Sequence, residues 1–97
     1  MPLRLAVDLA KDGDVEPHFY LGMTLTLAGR SAQALPLFEQ VLSSQPNHIE
    51  AHTYYALALM RLDKLSEARK HIDFVLDKEP AHEIAQRIKA DIKAKSL

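Results

Sequence analysis

The residues best suited to chemistry in this sequence are its five histidines. His48 and His52 are four positions apart, which places two side chains on one face of a helix. A zinc site needs three or four ligands, and no carboxylate or further histidine has the local spacing to complete one. The same residue type recurs at His82, which suggests a packing role shared by two parts of the chain. We therefore predict no metal site.

Catalysis is not indicated either. The chain contains no cysteine, and its serines stand at predicted caps and turns, where hydroxyls make local hydrogen bonds. Its three glycines do not form a phosphate-binding loop. Asp12 and Asp14 are interpreted as a solvated turn rather than an acid–base pair. We therefore predict no catalytic residues, no cofactor and no enzymatic activity.

Length and charge narrow the class of partner. The 97 residues predict one small domain, and 12 basic against 13 acidic side chains give no strong attraction to nucleic acid or to an anionic membrane. The longest apolar runs are too short to span a bilayer, and the first residues lack the apolar stretch of a signal peptide. These features predict a cytoplasmic protein with no nucleic-acid partner and no membrane partner.

An internal repeat is the strongest feature of the sequence. Segments 15–48 and 49–82, aligned so that Val15 pairs with Ile49, are identical at nine positions. Unrelated segments of average composition would share roughly two. The identical pairs are Glu16/Glu50, His18/His52, Tyr20/Tyr54, Leu25/Leu59, Ala34/Ala68, Val41/Val75, Leu42/Leu76, Pro46/Pro80 and His48/His82.

Each repeat predicts two helices, because its apolar residues recur at spacings of three and four. Gly29 is predicted to end the first helix, and Ser31 to cap the second. In the second repeat, Asn47 and Glu50 have the spacing of a capping box, with Asn47 as the predicted cap. A period of about 34 residues with two helices per unit is typical of a solenoid.

This pattern resembles the tetratricopeptide repeat family. His18 and His52 stand where the family signature has a bulky residue, usually tryptophan, and we expect them to cover apolar neighbours there. The resemblance implies an all-α fold, a right-handed superhelical array of antiparallel helix pairs with two full repeats and flanking helices. The residues that carry it are Leu21-Gly22, Leu25, Gly29, Ala34, Phe38, Val41-Leu42 and Pro46, then Tyr55-Ala56, Leu59, Ala68, Ile72, Val75-Leu76 and Pro80.

We expect a single domain over residues 1–97. Its predicted parts are an N-terminal helix (1–14), repeat 1 (15–48), repeat 2 (49–82) and a C-terminal capping helix (83–97). The capping helix has one apolar stripe, Ala85, Ile88 and Ile92, which matches the repeats best if the register slips by one residue after Pro80. The segment 1–14 reads either as a native cap or as the remainder of a preceding repeat in a longer array.

The resemblance also implies a working surface. In this family the helix pairs curve as they stack, and the first helix of each repeat lines the concave side. Such a groove suits an extended peptide or an amphipathic helix, so we predict protein–protein interaction with a partner peptide or helix. The residues expected to line the groove are Glu16, Phe19, Tyr20, Met23, Thr26, Glu50, Thr53, Tyr54, Leu57, Met60, Arg61 and Arg87.

Two alternatives remain open at this point. Phe19 and Met23 could pack against the predicted N-terminal helix instead of facing a ligand. The chain could also be a structural self-assembly module, a homodimer formed through the N-terminal helix or the groove. One family specificity is not expected: Phe19, Met23 and Tyr54 stand at places where chaperone-binding members hold a terminal carboxylate with cationic and amide side chains.

Overall fold

The computed structural model describes residues 15–97, and within that range it contains five α-helices and no strands. The predicted helix 1–14 lies outside the described residues. The helices are α1 (Glu16–Leu27), α2 (Ser31–Ser44), α3 (Ile49–Arg61), α4 (Leu65–Lys78) and α5 (Glu83–Lys95). Helix α1 packs on α2, and α3 packs on α4. Helices α2 and α4 also contact the helix that follows each of them, and α3 contacts both α1 and α5.

The core is built from the same positions in both repeats. Phe38 on α2 and Ile72 on α4 are one repeat apart, and both are fully buried. A Cβ atom at Gly22 would lie 2.9 Å from Cε1 of Phe38, so only glycine lets α1 approach α2 this closely. One repeat later Ala56 replaces the glycine and shares its core cluster with the smaller Ile72. Each repeat thus balances a small residue against the size of its partner.

The first helix of each repeat ends in the same left-handed turn. Gly29 has a φ of +84°, and the N–H of Arg30 donates to the carbonyl of Leu25 over 2.8 Å. One repeat later Asp63 takes this place with a φ of +64°, and Lys64 makes the equivalent hydrogen bond over 2.9 Å. Both turns have the Schellman pattern, which satisfies carbonyl groups at a helix C-terminus.

Histidines cap α3 and α5. Nδ1 of His48 accepts from the N–H of Ala51 over 3.0 Å, and Nδ1 of His82 accepts from Ala85 over 3.1 Å. Asn47 is therefore not the cap of α3, because His48 has the extended backbone of that position and satisfies the first turn. His48 and His82 are separated by the same offset as the sequence repeat, and α3 and α5 each begin at the next residue. The predicted register slip after Pro80 is therefore wrong.

A pair of histidines joins α3 to α4 and to the preceding loop. His52 is buried, and its Nε2–H donates to the carbonyl of Pro46 over 2.7 Å, since a carbonyl can only accept. In the neutral ring Nδ1 of His52 is then an acceptor, and Nδ1–H of His71 donates to it over 2.9 Å. The ring of Phe74 packs 4.2 Å from His52 and completes the contact.

The first repeat lacks this pair. Leu37 stands one repeat before His71, so the imidazole of His18 has no histidine partner at that place. Nδ1 of His18 is buried and has no hydrogen-bond partner. The two repeats therefore share a fold but differ in the polar contact that ties their helices together.

This packing shifts the pKa values of two half-buried groups, His71 and Tyr55. Burial lowers the pKa of His71, and the charges of His52 and Lys70 lower it further against the opposite effect of Glu67. Burial and the hydrogen bond to Glu39 raise the pKa of Tyr55 to about 12. The hydroxyl of Tyr55 thus remains protonated at neutral pH and donates to Glu39 over 3.0 Å, which links α3 to α2.

The two left-handed turns predict substitutions of opposite effect. Gly29→Ala should lower the free energy of unfolding by about 1 kcal/mol, because alanine is strained at this φ, although its Cβ would meet no neighbour within 4 Å. Asp63→Gly should raise it, by less than about 1 kcal/mol, since the flexibility of glycine in the unfolded chain offsets part of the gain. Urea denaturation measures both changes.

Asp63→Asn is the control for the charge of this residue, because asparagine also tolerates the left-handed conformation. We expect its free energy of unfolding to stay near that of the unchanged chain. A Gly29→Ala variant that is as stable as the unchanged chain would show that the turn is not held in the left-handed region.

His71 predicts a loss of stability in acid. Its folded pKa lies below the ordinary value of 6.5, so as the pH falls through 6.5 the unfolded chain binds a proton that the folded chain does not. The free energy of unfolding should therefore decrease from about pH 7.5 to about pH 5.5. His71→Leu, which copies Leu37 of the first repeat, should lose less stability over this range. Urea denaturation at both pH values would contradict the assignment if the two proteins lost the same amount.

Candidate functional site

The candidate site is the exposed surface of the three helices α1, α3 and α5, here called the α1/α3/α5 face. Eight of the residues predicted to line a groove present side-chain area at the surface of these helices. Tyr20 is 53% exposed, the largest value among these apolar side chains. The exposed members are Glu16, Tyr20, Arg61 and Arg87, and the half-buried members are Met23, Glu50, Tyr54 and Leu57.

An apolar strip crosses α1 and α3. Tyr20 and Met23 are three residues apart on α1, and Tyr54 and Leu57 occupy the same two places one repeat later on α3. A spacing of three residues puts each pair on one side of its helix. Met23 and Tyr54 are half-buried because part of each side chain packs against the core of the first repeat. We call these four residues the tyrosine strip.

Phe19 is buried beneath the tyrosine strip and contacts both of its tyrosines. It was predicted to line the groove, but it is only 8% exposed because it packs among other rings. Its ring centroid lies 5.3 Å from that of Tyr20 and 6.0 Å from that of Tyr54, both edge-on. Such edge-to-face contacts fix the orientation of aromatic rings. Phe19 therefore positions the two tyrosines and offers little area to a ligand.

Thr26 and Thr53 do not line an open groove, and their prediction as surface residues is wrong. Both are fully buried, and each hydroxyl is satisfied by donating to the carbonyl four residues earlier. The acceptors are Gly22, at 2.8 Å, and Ile49, at 2.9 Å. Met60 is 6% exposed and belongs to the core of the second repeat, so it too is removed from the surface.

Charged groups flank the tyrosine strip at the two ends of the helices. Glu50 is in the first turn of α3, and its Oε1 accepts from Nε2–H of His82 over 2.8 Å, which ties α3 to the start of α5. At the other end of α3, Nη1 of Arg61 donates to the carbonyl of Thr26 on α1. The strip thus has an acidic border at one side and a basic border at the other. His82 was missed as a functional neighbour, although its recurrence in the sequence was visible.

The histidines considered for zinc are used in structural hydrogen bonds. Nδ1 of His48 and both ring nitrogens of His52 have hydrogen-bond partners. Across residues 15–97, no group of three or more histidine, aspartate and glutamate side chains is arranged to hold a metal ion. Among the five described helices, none has the length and apolar character needed to cross a membrane.

Comparisons with known proteins agree with this architecture. The family model described as tetratricopeptide repeat matches residues 25–92. A search of curated protein sequences found no match. Among solved structures, the chain is similar to YrrB, described as a TPR protein with an unusual peptide-binding site, with a TM-score of 0.79 and 28% sequence identity. That similarity covers 91% of this chain but 45% of the YrrB chain, so this chain spans less than half the length of YrrB.

The family model covers more than half of the chain, and it reaches both helix pairs. The structure adds the features that define the repeat physically: helix starts that recur at the period of the sequence repeat, close approach within each pair, and a small residue opposite a large one. On these grounds the chain belongs to the tetratricopeptide repeat family.

Proposed function

We propose that this chain is a non-catalytic interaction module that binds an apolar segment of a partner protein, as a peptide or a helix, on its α1/α3/α5 face. The observation that carries this proposal is the tyrosine strip, above all the 53% exposure of Tyr20. The description of YrrB, a similar protein, as having a peptide-binding site supports the same class of function.

The chemistry of the strip suits peptide capture. Tyrosine buries a large area on binding while few rotatable bonds are fixed, and it is common among the residues that dominate binding energies. Met23 adds an adaptable apolar surface beside it. Phe19 holds Tyr20 and Tyr54 in edge-on contact. The two tyrosine rings are therefore partly ordered in the free protein, and less side-chain entropy is lost when a ligand binds.

The borders of the strip favour a direction for the ligand. Glu50 carries negative charge near the N-terminal end of α3, and Arg61 carries positive charge at the other end. A peptide whose apolar residues cover the strip would gain from a basic residue near Glu50 and an acidic residue near Arg61. Charges at the rim of an interface act mainly on orientation and association rate.

A homodimer is the alternative predicted from the sequence. Its route through the N-terminal helix falls on residues 1–14, outside the described residues, and its route through the groove would use the α1/α3/α5 face. A second copy would then occupy the tyrosine strip in place of a peptide. The cytoplasmic location and the absence of nucleic-acid and membrane partners remain predictions from the sequence.

The proposal predicts that Tyr20→Ala weakens peptide binding by about tenfold or more, the effect of losing a contact residue worth about 1.4 kcal/mol. Peptides would be selected from a displayed library of random sequences with the unchanged chain, and their affinities for each variant measured by fluorescence anisotropy. Tyr54→Ala should act in the same direction. Thermal unfolding should show that Tyr20→Ala folds, since this side chain is more than half exposed.

Tyr55→Phe is the matched control, because Tyr55 faces Glu39 on α2 and lies off the strip. It should leave peptide affinity unchanged. Selected peptides that bind Tyr20→Ala and Tyr54→Ala as tightly as the unchanged chain would refute the site. Light scattering after size-exclusion chromatography tests the homodimer alternative. If the unchanged chain is a dimer and Tyr20→Ala is a monomer, the tyrosine strip is the surface that binds a second copy.

A further inference from the structure

We propose that His48 is a positioning residue for the tyrosine strip, because its ring both caps α3 and holds Phe19 in place beneath Tyr20 and Tyr54. This inference rests on the proposed function, since it concerns the face that binds the peptide in that proposal. The sequence predicted only a packing role that His48 would share with His82. In the structure the two histidines make the same cap but different contacts with the preceding helices.

The cap fixes where the ring of His48 lies. His48 has the extended backbone of a cap residue, and its Nδ1 accepts from the N–H of Ala51 over 3.0 Å. Nδ1 can accept only when the ring faces the first turn of α3, so this hydrogen bond restricts the orientation of the side chain. Helix α2 begins without such a constraint. Ser31 was predicted to cap α2, but Arg30 occupies the cap position and its side chain makes no capping hydrogen bond.

The same ring of His48 contacts Phe19 on α1. The two ring centroids are 5.0 Å apart, and the ring planes are inclined by 36°. Phe19 meets Tyr20 and Tyr54 edge-on, so the orientation of Phe19 determines where the two tyrosine rings pack. Outside the strip, Phe19 also contacts the ring of Phe38 on α2, with centroids 6.4 Å apart. His48 is the closer of these two supports and connects the start of α3 to the strip.

His82 provides a matched comparison one repeat later. Its Nδ1 accepts from the N–H of Ala85 over 3.1 Å, which is the same cap at the start of α5. Its contact with the preceding first helix is polar, because Nε2–H donates to Oε1 of Glu50 over 2.8 Å. The place of Phe19 holds the fully buried Thr53 in the second repeat, so His82 has no aromatic ring to support there. The capping role is therefore common to both histidines, and the support of an aromatic ring is specific to His48.

Two substitutions at position 48 separate the cap from the ring. His48→Asn keeps a good cap residue but removes the ring beside Phe19. His48→Phe keeps an aromatic ring but has no acceptor for the N–H of Ala51, so the midpoint of thermal unfolding should fall. We expect His48→Asn to weaken the binding of the selected peptides by about threefold to tenfold, the cost of ordering a side chain that is no longer held in the free protein. His48→Phe should bind them like the unchanged chain.

A role in stability alone would make the loss of affinity follow the loss of thermal stability in these variants. His82→Asn is the control, because it makes the same exchange of cap residue away from Phe19, and it should leave the affinity unchanged for peptides without a basic residue. The proposal is wrong if His48→Asn binds the peptides as tightly as the unchanged chain, or if His48→Phe binds them as weakly as His48→Asn.

NMR of the tyrosine rings tests the positioning role without a peptide. The chain has three tyrosines, and Tyr55 lies off the strip as an internal reference. In His48→Asn the ring-proton signals of Tyr20 and Tyr54 should move toward those of tyrosine in an unstructured peptide, because Phe19 no longer holds the two rings edge-on. His82→Asn should leave these signals in place. Signals of Tyr20 and Tyr54 that are the same in His48→Asn as in the unchanged chain would overturn the proposal.

The two readouts also separate this proposal from the proposed function. If Tyr20→Ala binds the selected peptides as tightly as the unchanged chain while His48→Asn shifts the tyrosine signals, the peptide site is wrong and the positioning role of His48 is supported. If Tyr20→Ala weakens binding while His48→Asn changes neither affinity nor the tyrosine signals, the peptide site is supported and the role of His48 is wrong.

Discussion

The close approach of the two helices within each repeat is the constraint on which the rest of the structure depends. Phe38 fills the space between α1 and α2, and a Cβ at Gly22 would lie 2.9 Å from its ring. With these helices in contact, the remaining surfaces of α1 are left for α3 and for solvent. The tyrosine strip exists because packing uses one side of each first helix and leaves another side open. A larger residue at position 22 would therefore disturb the site through the geometry of the pair.

Repetition of backbone geometry with divergence of side chains explains where the distinctive chemistry lies. Both first helices end in a left-handed turn, but with Gly29 in one repeat and Asp63 in the other. Both second helices begin after such a turn, but α2 has Gln33 where α4 has Glu67. The repeat supplies the same helix start twice, and Glu67 places in the first turn of α4 a negative charge that the first turn of α2 lacks.

Periodicity in the sequence was sufficient to predict the helices and much of the core. The alignment of the two repeats paired Phe38 with Ile72, and both are fully buried. Periodicity did not predict the burial of polar residues, because the position of a residue on a helix does not determine which group its side chain hydrogen-bonds to. Thr26 matched the expected surface position by family resemblance, yet its hydroxyl bonds to the preceding turn and its side chain is buried. The prediction of the cap of α3 was wrong for a related reason. Asn47 is a better cap than His48 by residue preference, but His48 is the residue with the extended backbone conformation of a cap.

Helix α5 keeps the position of the repeated helix but differs from α3 in its side chains. Ala85 and Ile92 occupy the places of Ala51 and Ala58 and are buried against the second repeat. Lys89 occupies the place of Tyr55, and its ammonium group instead reaches back to Asp73 on α4 over 2.8 Å. The side of α5 that packs on the second repeat has kept its apolar residues, whereas a position that serves ring packing in α3 has become a charged contact at the surface. The place of Tyr20 and Tyr54 changes in a different way, because in α5 it holds the buried Ile88. The aromatic surface is therefore confined to α1 and α3.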